Sequence, residues 1–75
     1  MIRFKLRQRI ADLEFKEKRR VTLQEIAKDT GLGRMTLSRM INTPGNVVRT
    51  DVLDKLCAYF GCQVGDLAEH VPDDE

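Results

Sequence analysis

Apolar residues along the chain first alternate with basic ones and then change period. Ile2, Phe4 and Leu6 are separated by Arg3 and Lys5, a period of two that permits a short strand. From Leu6 the spacing becomes Leu6, Ile10, Leu13, with Ala11 and Phe15 close to the same stripe. That pattern predicts a helix to about Lys18 whose other side is polar and mostly basic.

The next start signal has several parts. Thr22 fits an N-cap, Glu25 three residues later completes a capping box, and Val21 with Ile26 matches a hydrophobic staple. Ile26 and Ala27 then face inward, and the small Ala27 permits a close helix crossing. The break at Gly31-Leu32-Gly33 separates this helix from another, because glycine reaches positive φ where a side chain would clash. Two short helices joined by so few residues form a helix-turn-helix over about residues 22–42.

In the second of these helices, steps of about 100° put Leu37, Met40 and Ile41 on one side. Met35, Ser38, Arg39 and Asn42 fall on the other, with Arg34 at the entrance. Such an outward face can enter a DNA major groove, where arginine gives two parallel hydrogen bonds to guanine. Met35 has two readings here, a contact to a thymine methyl or a scattered surface methionine.

Asn42-Thr43-Pro44-Gly45-Asn46 carries a Pro-Gly turn, and Val47 and Val48 are expected to pin that loop to the core. A new helix starts at Thr50-Asp51, buries Leu53, Leu56, Cys57 and Phe60, and stops at Gly61. A last short helix over about Val64 to His70 is expected to cover the core with Val64, Leu67 and Ala68. The reading is thus an all-α, single domain over residues 1–72, with an N-terminal strand permitted and residues 73–75 an acidic tail.

The net charge of +1 conceals a strong polarity. Residues 1–50 carry 12 Lys/Arg against 5 Asp/Glu, a net of +7, whereas residues 51–75 carry one Lys against 7 acids, a net of −6. A basic portion containing the helix-turn-helix suits phosphate binding on one side. At 41% hydrophobic and 33% charged, the 75 residues can fold as one small domain. No uncharged apolar run approaches the ~20 residues of a membrane span, and no signal-peptide pattern occurs, so a cytoplasmic protein is expected.

Little in the sequence points to catalysis or cofactors. His70 is the only histidine, and Cys57 and Cys62 lack zinc-ligand spacing; they read as buried, reduced thiols. The glycines form no phosphate-binding loop. No enzyme, metal site, cofactor or separate small-molecule domain is therefore expected.

Glu25-Ile26-Ala27, Gly31, Thr36 to Asn42, Leu53 to Cys62 and Gly65-Asp66-Leu67 together resemble the Cro/C1-type (XRE-like) helix-turn-helix regulators of phages and bacteria. The likeness covers nearly the whole chain. It implies a five-helix, lambda-repressor-like domain and repressor-type binding to double-stranded operator DNA. It also implies that Arg34, Met35 and Arg39 stand at base-contacting sites with Ser38 beside them, and that Asn42 contacts phosphate. Leu23 stands where the family often has a phosphate-contacting glutamine, with Gln24 next to it as the substitute. Gly33 replaces the usual Ser or Thr cap and leaves a backbone N–H free to face a phosphate.

Further backbone anchors are expected at Asn46, Arg49 and the Lys18, Arg19, Arg20 group. One short helix contacts few bases, so a homodimer on two half-sites is expected, formed through the last helices or the Ile2-Arg3-Phe4 segment. The competing reading is a protein-interaction module of the same fold, antitoxin-like or an adaptor with a protein partner.

Overall fold

Leu6, Ile26, Leu37, Met40, Leu56 and Leu67 are fully buried and come from all five helices of the described chain. A computed structural model describes residues 1–43 and 45–72. Its elements are β1 (Ile2–Phe4), α1 (Leu6–Glu17), α2 (Leu23–Thr30), α3 (Arg34–Asn42), α4 (Thr50–Phe60), α5 (Val64–Leu67) and β2 (Ala68–His70). Pro44 of the expected Pro-Gly turn and the tail at 73–75 lie outside the described residues.

The last helix is shorter than its sequence suggested. It ends at Leu67, and Ala68–His70 become a strand paired antiparallel with β1, with Ile2 opposite His70, Arg3 opposite Glu69 and Phe4 opposite Ala68. The backbone bonds decide this outcome. Lys5 N–H donates to Leu67 O at 2.6 Å and Val71 N–H to Met1 O at 2.8 Å, so β1 takes the hydrogen bonds that a longer helix would have made internally. An ion pair between Arg3 and Glu69 joins the facing strands on one side, while Phe4 packs against the core. Residue Gln63 caps α5 in a reciprocal box with Asp66, a signal not read from the sequence.

Several apolar positions also differ from expectation. Phe15 is 87% exposed, because nine steps of about 100° from Leu6 carry it half a turn round α1, and Ala11 is exposed too. Val47 is 92% exposed whereas Val48 packs on the core, since neighbouring residues of an extended segment point opposite ways. On α4 the buried pair is Val52 and Leu56, and Leu53, Cys57 and Phe60 line its half-buried margin. Val64 is exposed and leaves Leu67 to close the core from α5.

The turn before α3 is built as glycine permits. Gly31 takes φ +78°, its N–H donates to Ala27 O at 2.9 Å, and Thr30 Oγ1 accepts from Leu32 N–H at 3.2 Å. Gly33 is different, with an extended backbone at φ −74° and ψ 139° that any residue adopts. The reversal of the chain therefore rests on Gly31 alone.

Candidate nucleic-acid interface

The amphipathic division of α3 fixes what it shows to solvent. Leu37 is 0% and Met40 2% exposed, anchoring the inner side, and Ile41 packs beside them. Arg34, Met35, Arg39 and Asn42 are exposed, Met35 to 62%, and Ser38 is half-buried. Asn42 Nδ2 donates to Ser38 Oγ at 3.1 Å, one turn apart, which orders both polar side chains along the outward ridge. Neither Arg34 nor Arg39 has an ion-pair partner among the described residues, so both guanidinium groups keep their full set of donors.

The start of α2 lies against the start of α3. Thr22, Leu23 and Gln24 line one shallow concavity of about 320 Å³ with Arg34, Met35 and Ser38. Thr22 is the cap of α2, its Oγ1 accepting from Glu25 N–H at 3.1 Å, so the free N–H groups of that helix end open beside Gln24. Gly33 caps α3 without a side-chain bond and is exposed. Backbone donors, one amide side chain and one arginine thus share a single rim, an arrangement that suits a phosphate oxygen.

The other end of α3 brings in a residue that sequence reasoning passed over. Arg7 on α1 lines a second cleft of about 320 Å³ together with Leu23, Ile41 and Asn42. It is exposed and has no ion-pair partner among the described residues. Its position on the basic side of α1 was readable, but which residues of that side would adjoin Asn42 required the packing of α1 on α3.

The remaining expected anchors are not gathered on that rim. Arg19 pairs with Glu17 at 2.7 Å and with Glu25 at 2.8 Å, and these two carboxylates raise its pKa, Glu25 more strongly. Glu25 is accordingly not turned back to cap Thr22, and only half of the expected capping box forms. Arg19 belongs to the edge of α2 that faces Tyr59 of α4, whose pKa is raised by burial and then by Glu25 and Asp29. Lys18 and Arg20, exposed on either side of it, have no ion-pair partner among the described residues.

At the start of α4, Arg49 reaches Asp51 at 3.2 Å and remains highly exposed. Asn46 is half-buried beside Met1, Ile2 and Val48, its Nδ2 donating to Val47 O at 3.4 Å, on the side of the molecule that carries the strands. His70 is exposed on β2, and Cys57 and Cys62 are half-exposed free thiols where full burial had been expected. Among the described residues no group of three His, Cys, Asp or Glu is placed to hold a metal ion, and no helix is long and apolar enough to cross a membrane.

No curated protein and no solved structure matches the chain. Residues 5–73, which include every helix and the face of α3 just described, match the Cro/C1-type HTH DNA-binding domain. A chain whose α2 and α3 meet at a glycine turn, and which matches over nearly its full length, belongs to the Cro/C1-type helix-turn-helix family of DNA-binding domains.

Proposed function

We propose that the protein is a sequence-specific transcriptional regulator of the repressor type, acting in the cytoplasm on double-stranded DNA, with α3 laid in the major groove. The observation that carries this reading is the outward face of α3, where Arg34, Met35 and Arg39 stand exposed over a buried Leu37 and Met40. In that pose Arg34, Met35, Ser38 and Arg39 meet base edges. Arginine supplies bidentate bonds to guanine, and the Met35 thioether supplies apolar contact to a thymine methyl.

Gln24, Asn42 and the Gly33 N–H hold the phosphates that flank the groove, and Arg7 extends the same track past Asn42. Lys18, Arg20, Arg49 and Asn46 are more distant anchors. A nine-residue helix reads only a few base pairs, which favours a homodimer on half-sites about one turn of DNA apart.

Selection of bound sequences from a random duplex pool tests the reading directly. The expected result is an enriched site with two related halves, bound more tightly at low salt. A pool that shows no enrichment, with no salt-dependent duplex binding by the purified protein, overturns it.

A further inference from the structure

The hollow between the starts of α2 and α3 has an apolar side as well as a polar rim. Thr22, Leu23 and Gln24 line it from α2, and Arg34, Met35 and Ser38 from α3, around about 320 Å³. Gln24, Arg34 and Ser38 bring hydrogen-bonding groups, whereas Leu23 and Met35 bring none apart from a weakly accepting sulfur. Two apolar side chains from two helices thus share one opening on the face proposed to meet DNA.

The fold holds both of them there. Leu23 follows the Thr22 cap and packs partly on the core, so its position is fixed while the rest of the side chain stays open to solvent. Met35, 62% exposed, is the large hydrophobic residue that the outward side of α3 carries. Its unbranched, polarizable side chain adapts to small apolar shapes. An apolar pair inside a polar ring fits a ligand that is apolar at its tip and polar around it.

One base feature of the major groove answers that description. The C5-methyl group of thymine is apolar among donors and acceptors, and cytosine carries the same group only when it is methylated at C5. The C5 edge of a pyrimidine also lies next to its own sugar–phosphate backbone. A hollow that offers Gln24 and Arg34 to a phosphate oxygen, and Leu23 with Met35 to an apolar group, matches one 5-methylpyrimidine nucleotide as a unit. Ordinary cytosine presents a bare C5–H there and leaves the apolar pair without contact.

We propose that Leu23 and Met35 read a pyrimidine 5-methyl group, so that the protein selects thymine or 5-methylcytosine over cytosine at one position of each half-site. This inference rests on the reading of α3 as the base-contacting helix, and it makes Leu23 a residue that determines specificity.

The test starts from duplex sites selected by the full chain, from one pool of ordinary bases and from a second in which 5-methylcytosine replaces cytosine. Each thymine of the enriched site is then replaced by uracil, which removes the methyl group and keeps O4. One position per half-site is expected to bind uracil about fourfold more weakly than thymine, the ~0.8 kcal/mol of a single buried methyl-sized group. Enrichment of thymine there in both pools identifies thymine as the base recognised. Enrichment of cytosine there in the second pool alone identifies 5-methylcytosine, and the ratio is then measured against unmethylated cytosine. Leu23→Ala and Met35→Ala should each bring the ratio toward one.

Circular dichroism on each variant establishes that it is folded. Should Leu23→Ala unfold the chain, the comparison is made with Met35→Ala, whose side chain is exposed. An enriched site without a methyl-sensitive position, or a ratio that keeps its full size in folded Met35→Ala, overturns the inference and leaves the regulatory reading standing. Failure to enrich any site removes the regulatory reading and this inference with it.

Discussion

Arg19 holds Glu25 at 2.8 Å across the start of α2 while its Nε keeps Glu17 at 2.7 Å. The middle cation of Lys18-Arg19-Arg20 is therefore neutralised within the protein, although sequence gives the three residues equal standing. Counterion release on DNA binding counts cations that reach phosphates. Arg20→Ala is expected to lower the salt slope by about one unit if its side chain meets a phosphate, and Arg19→Ala to change it much less. Binding to one duplex across a salt series decides the matter, and equal losses of slope would show that Arg19 leaves its carboxylates for DNA.

Capping of α2 falls to Thr22 alone. Thr22 Oγ1 accepts the Glu25 N–H at 3.1 Å, so Thr22→Ala should cost about 1 kcal/mol of stability. The Glu25 carboxylate makes an exposed ion pair and does not return to the cap, so Glu25→Ala should cost less than Thr22→Ala. Urea midpoints of the two variants give the order. A larger loss for Glu25→Ala would mean that the reciprocal box forms in solution.

Backbone conformation yields a prediction of opposite signs at two positions. Gly31 takes φ +78° with nothing within 4 Å of where a Cβ would stand, so Gly31→Ala should cost about 1 kcal/mol through the backbone alone. Lys18 ends α1 at φ +55° with a side chain that prefers negative φ, and Lys18→Gly should stabilise by up to about 1 kcal/mol. Thermal unfolding should move by about 4–8 °C per kcal/mol in a domain of this size. Destabilisation by Lys18→Gly would indicate that the lysine side chain makes a favourable contact outweighing its backbone cost.

What was legible in the sequence follows from the range of the forces involved. Helix starts and stops at Thr22, Gly31 and Gly61 are local, and the structure places all three as the residue pattern indicates. The inward stripe of α3 was also readable, because Leu37, Met40 and Ile41 share one side by helical geometry alone. The end of α5 was not, since it depends on β1, more than sixty residues away, offering hydrogen bonds to Ala68–His70.

Side-chain partners were the least legible level. Periodicity placed Arg19, Arg49 and Asn46 in the basic portion but carried no information that Glu25, Asp51 and Val47 would engage them. The neighbourhood of Arg7 and Asn42 likewise exists only once α1 packs on the rest. Sequence reasoning therefore found the face of α3 and left the composition of its rim to the tertiary fold.

Base reading and phosphate holding should separate cleanly between Arg39 and Arg49. Arg39 is exposed, without an ion-pair partner among the described residues, and stands on the ridge with Ser38 and Asn42. Arg39→Ala is expected to relax preference at one operator position, with about 1–3 kcal/mol of discrimination lost there. Arg49 lies at the start of α4 and shares its charge with Asp51 at 3.2 Å. Arg49→Ala should weaken all sequences alike, and Asp51→Asn should strengthen them by freeing the guanidinium for phosphate. Affinities of each variant for the selected site, its single-base variants and a random duplex distinguish the two roles. If Arg39→Ala lowers affinity for selected and random duplexes by the same factor, the arginine touches backbone and the assignment of α3 to base reading fails at that residue.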